Sequence, residues 1–277
     1  MLRIVLYLLG TAVGLYLVAC AAMWLMQERL VFYGGPPPGT EPKDHGLPGS
    51  ALFLKTDDGV RLGAWWIEAE RARGAVLFLH GNAGNVENRV EHARAFLAMG
   101  FSTLIVDWRG YGASEGSPSE EGTYRDAEAG YEYLVRARGI EPARIAVFGE
   151  SLGGGPAIEL ALRKPFGALI LQSTFTSIPD VGALHYSWLP IHALARVEYA
   201  NLEKIARVPV PVLFLHSKAD ELVPYSHAEA LLAAALPPKS LVTTAGRHEE
   251  SHFFMREEWT TAVRAALENM LRGKVQR

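Results

Sequence analysis

The chain has 277 residues, 49% of them hydrophobic and 21% charged, with a formal net charge of −3. That is ample for one core of the size that α/β domains of roughly 200–250 residues build, while the absence of a Lys/Arg excess excludes an electrostatic nucleic-acid binder. The single cysteine, Cys20, excludes an internal disulfide framework and a cysteine-based zinc site.

From Ile4 to Met26 there are 23 residues without a charged side chain. About 20 such residues suffice for a helix to cross a bilayer core of roughly 30 Å. Residues 1–33 are therefore read as an N-terminal transmembrane anchor. Arg3 at the start favours a cytoplasmic N-terminus with the body on the far side, which in a bacterium means the inner membrane and the periplasm. Two alternatives remain for this segment. A cleaved signal segment needs a shorter apolar region, and Leu17-Val18-Ala19-Cys20 also has the form of a lipoprotein box that would lipidate Cys20. Gly10 and Gly14 have the GxxxG spacing of packed helices, although glycine is common in spanning helices generally.

Residues 34–50 are rich in proline and glycine and read as a linker. Residues 51–277 then read as a single catalytic domain. Two alternating segments around Asp57-Asp58-Gly59 predict an antiparallel hairpin. The apolar runs 74–80 and 101–107 predict buried parallel strands, with a helix between them that stops at Gly100. Ser119 is a predicted cap for a helix running to Gly139, and strands and helices continue to alternate down to a last helix over about 252–272. Such alternation means a mostly parallel, doubly wound sheet covered on both faces. Between 174 and 207 the pattern breaks into an irregular insert placed to act as a lid.

Ligands meet the carboxyl ends of strands in sheets of this kind, so the polar residues predicted there carry the functional reading. Gly149-Glu150-Ser151-Leu152-Gly153 matches G-x-S-x-G between a strand and a helix. A turn tight enough to expose the serine leaves no room for a Cβ at the flanking positions, which glycine relieves. The alternative for this stretch is a structural or phosphate-binding glycine turn. A serine needs a base, and the base an orienting carboxylate. Asp220 lies just past a predicted strand, with Glu221 and Asp180 as rivals; His248 follows another strand, with His252 as its rival. His216 is read as structural. The Leu79–Asn85 segment, "LHGNAGN", offers the backbone N–H of Asn82, paired with that of Leu152, as an oxyanion hole; Ala83 is the alternative donor and Asn85 a helix cap. Phe175, Tyr186 and Trp188 of the insert are candidates for an apolar acyl pocket.

"LHGNAGN", "DWRGYGASEG", "GESLGGGPA", "HSKADELVP" and "GRHEESHF", together with "QERLVFY" after the apolar segment, resemble the α/β-hydrolase fold serine hydrolases over residues 28–260. The resemblance is to their membrane-anchored group, akin to the S33 serine aminopeptidases and to protein depalmitoylases. It implies an α/β-hydrolase fold and a triad of Ser151, Asp220 and His248, the same residues that their own setting selects. Many relatives place glycine and histidine together before an asparagine; Gly246-Arg247-His248-Glu249 departs from this, which bears on how the base is positioned. Asp107 and Arg109 of the family's loop are read as structural. The expected function is hydrolysis of esters or thioesters through an acyl-enzyme, on a small-molecule or lipid acyl substrate. No metal or organic cofactor is implied, since no H-E-x-x-H or clustered ligand spacing occurs. A peptidase or amidase using the same triad is the alternative within hydrolases, and a non-catalytic membrane scaffold the alternative outside them.

Overall fold

A computed structural model describes residues 1–248 and 257–272. The first helix, α1 (Leu2–Val31), is almost wholly exposed along its apolar length. It is long and apolar enough to cross a membrane. Thirty residues make a helix about 45 Å long, more than a bilayer core of about 30 Å requires, and its last turns pack on the body instead. Gln27 is buried there, and Phe32 just beyond belongs to the main core.

The body is built on a sheet of eight described strands: β1 (Gly49–Lys55), β2 (Arg61–Ile67), β3 (Ala75–Leu79), β4 (Ser102–Val106), β5 (Ile145–Glu150), β6 (Ala168–Gln172), β7 (Val212–Ser217) and β8 (Lys239–Thr244). Their spatial order is β1-β2-β4-β3-β5-β6-β7-β8. The first two form the expected antiparallel hairpin, with Ala51 opposite Trp65, and β2 runs antiparallel to β4. The remaining pairs are parallel. Along β3, Leu77 and Leu79 enter one core cluster while Val76 and Phe78 enter the other. The period of two in a fully apolar run is thus a sheet buried on both faces.

Helices α2 (Val90–Ala98) and α9 (Glu257–Arg272) cover one face; α3 (Glu120–Glu132), α4 (Gly154–Arg163) and α8 (Ser226–Ala234) cover the other. Ser119 caps α3, accepting from the Gly122 amide at 3.1 Å, and Gly100 ends the α2 segment at φ 81. The α3 segment reaches Gly139 through a wider π turn over Tyr133–Ala137. The segment between β6 and β7 carries three short helices, α5 (Ile178–His185), α6 (Ile191–Leu194) and α7 (Asn201–Ile205).

Residues 34–48 are irregular apart from a tight turn at Pro42–His45, yet they are laid firmly on the body. The Gly35 amide donates to the Gly84 carbonyl at 2.9 Å, and the Asn85 side-chain amide donates to the Pro36 carbonyl at 2.8 Å. Chain order reverses direction between β3 and β5, neighbours in the sheet. In an open α/β sheet that reversal opens a crevice at the carboxyl ends of the two strands. The residues after Leu79 and after Gly149 meet there.

Candidate active site

Ser151 stands at the end of β5 with φ 48, a left-handed conformation that a residue with a Cβ adopts at a cost. Its neighbours explain how the turn is held. A Cβ at Gly149 would come within 2.8 Å of the Ala157 Cβ, and one at Gly153 within 2.7 Å of the His80 carbonyl oxygen. Both glycines therefore let α4 start hard against the ends of β3 and β5, which tips the serine outward. The structural-turn alternative has no need of what the hydroxyl touches.

Ser151 Oγ donates to His248 Nε2 at 2.9 Å, and His248 Nδ1 donates to Asp220 Oδ2 at 2.8 Å. The three residues come from the ends of β5, β7 and β8, with the serine and the histidine 97 positions apart. Burial opposes ionisation of Asp220. The hydrogen bonds from His216 and His248 and the amide of Val223 outweigh it, holding the carboxyl well below the usual carboxylate range. Asp220 Oδ1 accepts from the Leu222 and Val223 amides at 3.1 and 2.8 Å, so a turn of backbone fixes the carboxylate plane. His216 Nε2 lies 2.8 Å from the Val223 carbonyl and 3.4 Å from Asp220 Oδ2, a supporting place for a residue read as structural.

The rivals fall elsewhere. Glu221 is next to the pair but binds the His248 backbone amide, at 3.2 Å, and Arg247; it does not meet the imidazole. Asp180 accepts from Thr176 in the insert. His252 and Glu249 lie outside the described residues.

The loop after β3 faces the serine. Gly81, Asn82, Ala83, Ser151, Leu152 and His248 all line one cavity of about 1090 Å³. The Ala83 amide donates to Asn82 Oδ1 at 3.1 Å. The Asn82 side chain is itself pinned. Its Oδ1 accepts from the Tyr111 hydroxyl at 2.7 Å and the Tyr33 amide at 2.9 Å, and its Nδ2 donates to the Val31 carbonyl at 2.6 Å. Asn85 caps the following turn as expected, accepting from the Glu87 amide.

Two cavity residues escaped the sequence reading. Glu150, the variable position before the serine, accepts from the Gly81 amide at 3.1 Å and from Arg89 Nε at 2.7 Å. Burial works to raise its pKa, but Arg89, His92 and the Gly81 amide prevail and hold it at about 2. A charge inside G-x-S-x-G signals that some cation must be folded against it, but nothing in the spacing says that Arg89 is the one. The rest of the cavity is mostly apolar and includes Phe175, Ile178 and Tyr186 of the insert. Trp188 is a correction: it lies outside the cavity, 60% exposed, with its ring edge-on to Tyr16 of α1. Asp107 and Arg109 are buried away from the serine; Arg109 is tied to Asp126 and Asp58, and Asp107 Oδ1 accepts the Val86 amide. Among the described residues no group of three His, Cys, Asp or Glu is arranged to hold a metal ion.

A family model described as serine aminopeptidase, S33, matches residues 70–199. An uncharacterized protein of Mycobacterium tuberculosis is 42% identical, over 81% of this chain and 80% of its own. The alpha/beta hydrolase domain-containing protein WAV2 of Arabidopsis thaliana is 34% identical, over 80% of each chain. The lysophosphatidylserine lipase ABHD12 of Danio rerio is 30% identical, over 72% of this chain and 62% of its own. In fold, the chain is similar to an esterase of Pyrococcus furiosus, with TM-score 0.73 and 21% identity, over 86% of this chain and 99% of that one.

Proposed function

The chain belongs to the α/β-hydrolase family, and from that premise we propose that it is a serine hydrolase of carboxylic esters or thioesters acting on lipid-like acyl groups. The observation that carries the reading is the line of hydrogen bonds from Ser151 through His248 to Asp220, opening on an apolar cavity. Ser151 Oγ attacks the acyl carbonyl carbon while His248 Nε2 takes the hydroxyl proton. The carboxylate of Asp220 keeps the Nδ1–H tautomer in place and stabilises the imidazolium that forms. The tetrahedral oxyanion is held by the backbone amides of Asn82 and Leu152; losing one such donor costs about 3–4 kcal/mol of transition-state stabilisation. His248 then returns its proton to the leaving oxygen or sulfur, leaving an acyl-enzyme. Water, deprotonated by the same imidazole, releases the acid.

The lipid character rests on the cavity's apolar wall, on a helix fit to span a membrane, and on the likeness to a relative named as a lysophosphatidylserine lipase. An aminopeptidase needs a carboxylate free to receive the substrate's ammonium. Among the described residues lining the cavity the one carboxylate is Glu150, and it is engaged by Arg89 and Gly81.

A fluorophosphonate probe tests the reading: intact mass should show one adduct, mapped to Ser151 and lost in Ser151→Ala. An unlabelled wild type overturns it. Hydrolysis of p-nitrophenyl esters should fall about 10⁴-fold or more in His248→Ala and stay within about threefold of wild type in His252→Ala; the reverse pattern would move the base.

A further inference from the structure

The cavity beside Ser151 is not enclosed by the body alone. Met23, Gln27 and Leu30, from the last turns of α1, form part of its lining. Residues of the insert line it too, Tyr186 among them. Leu30 is 40% exposed and Tyr186 46%, so both line the cavity and reach its rim.

The contacts that keep α1 against the insert are specific. Gln27 is buried, donates from Nε2 to the Leu194 carbonyl at 2.5 Å, and accepts the Arg196 amide on Oε1 at 2.6 Å. A buried amide side chain is costly unless both ends are satisfied, and here both are spent on the insert's backbone. Arg196 lies over the Trp24 ring at 4.5 Å, and Tyr16 meets Trp188. On the body side, Asn82 grips the Val31 carbonyl and the Tyr33 amide. The helix is therefore fastened both to the insert and to the loop that faces the serine.

Beside this seam Trp188 of the insert is 60% exposed, against a helix that itself exposes a long apolar face. A large exposed aromatic next to a spanning helix suits the headgroup–acyl boundary of a bilayer.

We propose that the substrate's acyl chain lies in the cavity along α1, with Met23, Gln27 and Leu30 of the membrane helix as one wall of its binding site. The helix is then part of the specificity apparatus as well as a tether. Gln27 is a positioning residue, since it acts by holding the insert and takes no part in bond making. The substrate class this favours is an acyl ester already resident in a membrane, presented carbonyl-first to Ser151 with its tail left along α1. This rests on the reading of Ser151 as the acylated nucleophile.

The test uses the full chain in detergent micelles and reads the ratio of kcat/KM for p-nitrophenyl palmitate to that for p-nitrophenyl butyrate. Met23→Trp and Leu30→Trp narrow the wall and should lower this ratio at least tenfold. Leu25→Trp adds the same bulk on a face of α1 outside the cavity, where Leu25 is 68% exposed, and should leave the ratio within about twofold. Gln27→Ala should also lower the ratio, through a higher KM for the long ester. Because a ratio is read, partial loss of folded protein does not imitate the effect. A wild type that takes fluorophosphonate at Ser151 and wall variants that keep the wild-type ratio would overturn the assignment of α1 as a wall alone. A wild type that fails to label would overturn the nucleophile, and that assignment with it.

Discussion

Two histidine–aspartate pairs sit at the carboxyl edge of the same sheet. His248 and Asp220 follow β8 and β7; His80 and Asp107 follow β3 and β4. In the first pair the histidine side chain keeps 9% of its surface and points its second nitrogen at a hydroxyl. In the second both side chains are wholly buried, with His80 Nε2 3.4 Å from Asp107 Oδ1. His80 Nδ1 donates to the Gly81 carbonyl, and the rings of Trp108 and Tyr111 close over the imidazole. The residue types are the same in both places. What separates them is a third partner and a cavity: Ser151, bent into a left-handed turn, meets only one of the two rings. The buried pair stiffens the loop that carries Asn82, and the histidine of the other opens on the cavity. Glu150 links the two regions, preceding the serine in sequence and accepting from Gly81 next to His80.

The comparison breaks first at Asp220. Asp220→Asn should lower kcat on p-nitrophenyl butyrate by about 10²–10⁴-fold with little change in KM, since it leaves the imidazole in the wrong tautomer. A change below tenfold would place this pair with the buried one. Glu150 comes next and is read through pH. Its pKa is held at about 2 in the folded chain, below the ordinary 4.5. A carboxyl so lowered adds stability that is complete above pH 4.5 and is lost as pH falls toward 2, a loss of up to about 3 kcal/mol. Glu150→Gln should be less stable at pH 7 and lose less than wild type between pH 4.5 and 2, as urea unfolding at each pH would show. Asp107→Ala strands the buried Val86 amide, which costs about 1–2 kcal/mol in urea unfolding. The turnover of the folded fraction should stay within about tenfold, and a larger loss would make the buried pair part of the chemistry. The smallest effect belongs to Glu221→Ala. It removes an exposed ion pair with Arg247 and the acceptor of the His248 backbone amide, and kcat should stay within about threefold.

The sheet was legible because its signals are local. Unbroken apolar runs such as Ala75–Leu79, each closed by glycine or a polar residue, force strand after strand into a two-sided core. Ser151 was equally legible, because the steric need for Gly149 and Gly153 is written within five residues. Asp220 and Glu221, adjacent in sequence, could be ranked only loosely there. Folding separates them, because a strand-end turn aims one at the imidazole and leaves the other on the backbone. The role of Gln27 was not legible at all. It stood in a short polar flank after an apolar run, and its partners lie about 170 residues away in an insert without periodicity. Asn82 was read for its backbone amide, while its side chain proved to be the tie to the end of α1. Trp188 was misplaced for a related reason: aromatic composition identifies an apolar surface without saying which of two apolar surfaces it will join.

The separation of Ser151 from His248 by 97 residues has a consequence for how the molecule comes into being. During synthesis the apolar helix and the Ser151 hydroxyl are both made well before the His248 imidazole. A partly translated chain therefore lacks the partner of that hydroxyl, and the line of hydrogen bonds to Asp220 is completed only once the loop after β8 has folded back across the sheet.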